Sequence, residues 1–237
     1  MDKNITKARA YFYEFLAYPL FFHTSDEKFA RWREQLSYLA QNPLSEQSAE
    51  AFANLEKFSF KELVNEQNEV LFGFTNIPLS ASFYEEGRDN GAARLRVIHC
   101  LNLSPYRRDK ELCKDSEDYV GFIFLAMATF LNDEFNGAKN ISDKLFNETL
   151  NLFIDEFGSL LLAHKNANFF RSYAIILKDF IELERAVLSV EAPAKPQGDS
   201  VAMAALKKEP FQSKMPTIKT KLHWEEFSPV ISHEFKD

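Results

Sequence analysis

The stretch YVGFIFLAMATFL, residues 119–131, is apolar almost all round. A helix of that composition has no polar stripe to turn to water, so it is buried on most sides. At 13 residues it is shorter than the ~18 apolar residues that a membrane span requires. A helix buried in a water-exposed protein needs neighbours with apolar faces, and the flanking sequence supplies them. On the C-terminal side, Asn132 to Asn140, with Gly137, reads as a turn. Ser142 is placed to cap a helix whose inner stripe is Leu145, Leu152, Phe153, Phe157, Leu160 and Leu161. After Asn166 comes another, with Phe169, Phe170, Tyr173, Ile176, Leu177, Phe180 and Ile181 facing inward.

On the N-terminal side, Ala8, Tyr11, Phe12, Phe15 and Leu16 recur at three- and four-residue steps, and Pro19 stops that helix. Ser25 or Asp26 caps the next, with Phe29, Trp32, Leu36 and Leu39 inward. Leu63, Val70, Leu71 and Phe74 mark a third helix, ended by Pro78, and Arg94 to Leu103 a fourth, short one. β-branched alternation is nowhere sustained. The predicted fold is all-α: a single helical bundle over residues 1–188. From Ser189 the composition shifts. Residues 189–237 carry five of the nine prolines and short apolar clusters, which reads as an extended tail, docked on the body or on a neighbour through Phe211, Trp224, Phe227, Ile231 and Phe235.

Composition narrows the function classes. Twenty-four Phe in 237 residues exclude a disordered chain. The net charge of -7 falls wholly within residues 1–188, because the tail is neutral, and a pI near 5.4 argues against nucleic acid as a partner. Cys100 and Cys113 are too few for a disulfide framework or a zinc site, and are read as reduced thiols. Arg9 and Glu14 interrupt the N-terminal apolar residues, so no secretory leader is expected and the protein is placed in the cytoplasm. There is no GxGxxG, GxxxxGK[ST], HExxH or GxSxG, and the five histidines are scattered. No enzyme chemistry, metal or cofactor is indicated.

Three patches stand out. The first is Ile77-Pro78-Leu79-Ser80-Ala81-Ser82-Phe83-Tyr84-Glu85-Glu86-Gly87, a stiff chain with capping hydroxyls and two rings, or else a loop with its aromatics in the core. The second is the acidic run from Asp109 to Asp118. It reads either as a solvated loop leading into a helix N-terminus, where carboxylates favour the macrodipole, or as a receptor for guanidinium groups. The third, Arg9-Ala-Tyr-Phe-Tyr-Glu-Phe-Leu-Ala-Tyr-Pro-Leu-Phe, is an amphipathic helix with a proline stop.

In this order and spacing the patches resemble the TorD/DmsD/NarJ family of molybdoenzyme maturation chaperones. Arg9, Tyr13, Leu16, Ala17 and Pro19-Leu20-Phe21 fit the opening helix of that family. Pro78, Ser82 and Tyr84 fit its mid-chain proline-serine-aromatic stretch. Ser116-Glu117-Asp118-Tyr119-Val120-Gly121-Phe122 occupies the place of its acidic turn, with Asp118 on the family aspartate and Tyr119 where a histidine is usual. The resemblance spans about residues 5–188.

It implies a chaperone that binds the twin-arginine signal peptide of a molybdoenzyme catalytic subunit and holds it from export while the molybdenum cofactor is inserted. The client is a formate dehydrogenase, a sulfoxide or N-oxide reductase, or a nitrate reductase, with formate dehydrogenase placed first. Contact with cofactor-delivery proteins follows, and the assembly is a monomer or a homodimer. On this reading Asp118 and Glu117 receive the arginines and Tyr119 stands beside them. Tyr84, Phe83, Ser82 and Pro78 line the apolar part, Tyr13 and Arg9 shape the groove floor, and Glu85, Glu86 and Asp89 assist. Lys207-Lys208-Glu209-Pro210-Phe211 is a loose echo of such a signal. The competing readings are a plain helical module that grips a partner helix in an apolar groove, and a helical enzyme of unrecognised type.

Overall fold

Each helix is set by an apolar face and a local stop. Helix α1 (Lys3–Ala17) ends where Pro19 forces a 3-10 turn over Tyr18–Leu20. In α2 (Glu27–Leu39) the predicted Phe29, Trp32, Leu36 and Leu39 are all buried. Helix α3 (Glu46–Leu55) opens on a reciprocal bond between Ser45 and Ser48, and α4 (Phe60–Val70) on a capping box of Ser59 and Glu62. The short α5 (Ala81–Glu86) closes on Gly87 at φ 68°, a left-handed position that a side chain resists. Then follow α6 (Ala92–Asn102), α7 (Val120–Phe135), one turn of α8 (Ser142–Leu145), a π turn (Phe146–Leu150), α9 (Asn151–Ala163), α10 (Phe169–Leu188) and α11 (Val201–Leu206). The computed structural model describes residues 3–23, 25–73, 76–194 and 198–207. Among these the architecture is an all-α bundle, and no helix is long and apolar enough to cross a membrane.

The core sits where α1, α7 and α10 meet. Helix α1 lies along α7, and α10 packs on α3 and α9. Phe12 stacks on Phe180 with centroids 4.8 Å apart, and Tyr13 meets both Phe124 and Phe180. Trp32 stacks on Phe15 and donates to its carbonyl at 3.1 Å, which locks α2 onto α1. The Tyr173 hydroxyl donates to the Leu16 carbonyl at 2.7 Å. At the start of α10, the buried Glu66 carboxylate accepts from the amides of Asn168, Phe169 and Phe170. It supplies acceptors to otherwise orphaned amides at the start of that helix.

Several expectations are corrected. Ala8 is exposed and Tyr11 only half-buried, while Arg9 and Tyr13 turn to the core in their place. Asp26 sits at the N-cap of α2 without a side-chain cap bond. Helix α3 falls in a stretch where none was predicted, and α4 ends at Val70, well before Pro78, while Phe74 lies outside the described residues. Helix α7 runs on through Asn132 to Phe135, so the predicted turn begins at Asn136. Its Glu134 caps the next helix, accepting from the Ile141 and Ser142 amides and the Ser142 hydroxyl; Ser142 itself is already inside.

Of the stripe predicted from Leu145 to Leu161, Leu145, Phe153, Phe157 and Leu161 are buried. Ile154 joins them, Leu160 is half-buried and Leu152 faces water, and a π turn over Phe146–Leu150 lies between the two parts of the stripe. Within the segment read as an extended tail, α11 packs against α5, with Ala202 buried. Phe211, Trp224, Phe227, Ile231, Phe235 and the Lys208–Phe211 segment lie outside the described residues.

Candidate functional site

The three patches converge. Leu79–Ala81 runs antiparallel to Asp118–Val120: the Val120 amide donates to the Leu79 carbonyl and the Ala81 amide to the Asp118 carbonyl, both at 2.8 Å. The Tyr119 hydroxyl donates to the Leu20 carbonyl just after the proline stop, and its ring meets Phe21 with centroids 5.4 Å apart. Gly121 permits this approach. A Cβ there would stand 2.9 Å from the Tyr119 ring and 3.0 Å from the Phe21 ring.

Most of the predicted site residues are consumed in building this junction. Asp118 is fully buried and accepts from the hydroxyls of Ser80 (2.7 Å), Ser82 (2.5 Å) and Ser116. Burial pushes its carboxyl up, but those hydroxyls outweigh it and hold the group below the usual range. Glu117, 7% exposed, accepts from Nε of Arg94 at 2.7 Å and from Nε of Arg108 at 2.9 Å. Here too burial opposes ionisation and the two arginines override it.

Tyr84 is buried against Phe153 and donates to the Pro78 carbonyl at 2.8 Å, while Phe83 is half-buried beside it. Glu85 pairs with Arg96. Glu86 pairs with Arg88 and accepts from the Ala92 amide. Arg9 and Tyr13, expected at a groove floor, are in the core instead: both bond the buried Glu184 carboxylate, at 2.6 and 3.0 Å from Arg9 and 2.9 Å from Tyr13. A guanidinium 1% exposed, with its countercharge beside it, shapes no water-open floor.

Two cavities flank the turn, and both are bounded by Lys114 and Asp115. The polar one, about 450 Å³, is lined by Asp89, Asn90, Arg94, Arg108, Ser116 and Tyr119 among others. The apolar one, about 670 Å³, is walled by Tyr18, Phe21, Phe22, Trp32, Phe122 and Leu125, with Leu112 at its rim. Leu112 is 87% exposed, a large apolar side chain offered to water from an otherwise charged loop. Arg108 shapes the shared wall, because its Nη1 donates to the carbonyls of Cys113, Lys114 and Asp115. Cys113 and His23 also reach the apolar cavity. Burial raises the Cys113 thiol, and His23 is stacked on Tyr18 with Nε2 2.9 Å from the Tyr18 carbonyl.

No protein-family model matches the chain, and no curated protein matches it. The aromatic wall and both arginines were absent from the sequence-based site. Leu112 carried one usable signal, an apolar residue inside RRDKELCKD; α7, expected to be buried on most sides, leaves Leu125 exposed and Phe122 half-buried.

Proposed function

We propose that this chain is a cytoplasmic chaperone that binds the twin-arginine signal peptide of a molybdoenzyme catalytic subunit while the cofactor is inserted. The observation that supports this reading is the pairing of cavities. An apolar trough and a charged pocket share one wall at Lys114 and Asp115. A signal peptide carries its charges and its apolar run in tandem and needs that combination. The apolar run lies in the trough, across Phe21, Phe22, Trp32, Leu112, Phe122 and Leu125. The arginines enter the polar pocket, whose wall carries Asp89 and Asp115. An acidic body attracts such a cation from a distance, so affinity falls as salt rises. Calorimetry with a client signal peptide tests this. Leu112→Asp with Leu125→Asp should weaken binding at least tenfold with little change in folding, since both residues are exposed. Unchanged affinity would reject the trough as the binding surface.

A second reading is favoured by one observation. The trough wall also carries Lys28, Arg31 and Lys114 beside Glu14 and Asp115, a mixed charge that suits an amphipathic partner helix without arginines. Replacing both peptide arginines by alanine separates the two: a loss of affinity that is largest at low salt supports the signal-peptide reading, and no loss supports the general one.

A further inference from the structure

Glu117 holds two guanidinium groups of its own chain, one on each carboxylate oxygen. The two differ in how firmly they are fixed. Arg108 is 11% exposed and tied to three further carbonyls. Arg94 is 33% exposed, its bond to Glu117 runs through Nε alone, and its side chain forms part of the polar cavity wall. Arg94 thus stands between the cavity and a nearly buried carboxylate. Withdrawing it opens Glu117 Oε2 to a cation arriving through about 450 Å³ of space.

We propose that Glu117 is a guanidinium-binding site entered through the polar cavity, and that Arg94 closes it from within by occupying the position an incoming arginine takes. This rests on the signal-peptide reading for the identity of the incoming arginine. The exchange of one guanidinium for another keeps Glu117 paired, so no bare buried carboxylate is created. The newcomer gains because two N–H groups of its guanidinium can converge on Oε2, an oxygen with two lone pairs that Arg94 meets with one N–H. The displaced Arg94 cation stays near Asp89 and Asp115 on the same cavity wall. Lysine lacks the planar fork, so the site discriminates Arg from Lys.

Two measurements test this, and the first needs no client. Arg94→Ala leaves room for a free guanidinium. Ethylguanidinium at ten times its dissociation constant should raise the unfolding midpoint of Arg94→Ala by about 3–6 °C, while ethylammonium should not, and the wild type should respond to neither. Arg94→Gln, which keeps an N–H donor toward Glu117, serves if the alanine variant folds poorly. The second measurement is calorimetry with an apolar peptide led by Arg-Arg. Arg94→Ala should bind it about three- to tenfold more tightly than wild type, and the Ala-Ala peptide should not distinguish the two proteins.

Absence of a guanidinium-selective rise, or weaker Arg-Arg binding by Arg94→Ala than by wild type, overturns the proposal. If the wild type and Arg94→Ala bind no such peptide at all, the signal-peptide reading fails, and the ethylguanidinium result alone decides whether the site exists.

Discussion

Replacing Asp118 separates a receptor from a clasp. Its carboxylate is enclosed and accepts three hydroxyls, from Ser80, Ser82 and Ser116, so it holds the Pro78–Ser82 strand to the start of α7. Each hydroxyl–carboxylate bond is worth about 1.5–3 kcal/mol net, and a hydroxyl left buried without an acceptor costs about 1–3 kcal/mol. Three of them share one acceptor and partly re-pair among themselves, so Asp118→Ala should cost about 3–5 kcal/mol, not the full sum. Set against a total stability of about 5–15 kcal/mol, that lowers the midpoint by roughly 10 °C. Asp118→Asn keeps one strong acceptor and should cost about 1–2 kcal/mol.

Acidity provides an independent check. The folded carboxyl lies below its ordinary value of 3.8, so its contribution is present above that value and disappears as the pH falls through the lower, folded one. The stability gap between wild type and Asp118→Asn should therefore narrow between pH 5 and pH 3. Urea unfolding across that range, with peptide titration at pH 7, measures both effects. Peptide affinity per folded molecule should stay within about twofold in Asp118→Asn. An asparagine variant as stable as wild type but at least tenfold weaker in peptide binding would refute the clasp and return Asp118 to the role of receptor.

Three other perturbations have defined outcomes. Gly121→Ala drives a methyl against two aromatic rings at 2.9 and 3.0 Å and should cost about 1–3 kcal/mol in chemical unfolding, with Phe21→Leu in the same chain recovering part of it. Glu66→Ala removes the acceptor for three amides at the start of α10 and should cost about 2–4 kcal/mol, with hydrogen exchange accelerating first at residues 168–170. Arg9→Ala strands the buried Glu184 charge and should cost about 3–5 kcal/mol, whereas Arg9→Met with Glu184→Leu should lie within about 1–2 kcal/mol of wild type; a double variant no better than the single would show that the pair itself sustains the fold.

The helical architecture was legible wherever one face carried enough apolar mass. The stripes of α2 and α10 needed no tertiary information, because every predicted inward residue is buried. Helix α3 escaped notice since only Ala51, Phe52 and Leu55 carry its apolar face, and its cap is a serine pair instead of the serine–glutamate pattern. The π turn at Phe146–Leu150 has no compositional mark, yet the stripe after it was legible at Phe153, Phe157 and Leu161 and failed at Leu152. The resemblance put Arg9 at a groove floor, and nothing local in the sequence points to its partner Glu184, 175 positions away. Distant charge pairing leaves no periodicity. The resemblance put the three patches on one groove; in the fold they meet, and bringing them together uses up their polar groups.

That consumption changes what a charge in such a turn can be asked to do. A carboxylate that binds a mobile ligand must be able to lose its partner at small cost. Asp118 meets this condition poorly, since three hydroxyls must be lost together, those of Ser82 and of Ser80 and Ser116 on the cavity wall. Glu117 differs because both its partners line a cavity and one of them, Arg94, is a third exposed and held by a single bond, while Arg108 is tied to three further carbonyls. Exposed carboxylates such as Asp115 and Asp89 are available but screened, and worth about 1 kcal/mol or less per pair. Strong and selective recognition of a cation therefore requires the buried carboxylate to be opened, and opening is tolerable only where a like cation already stands in the gap.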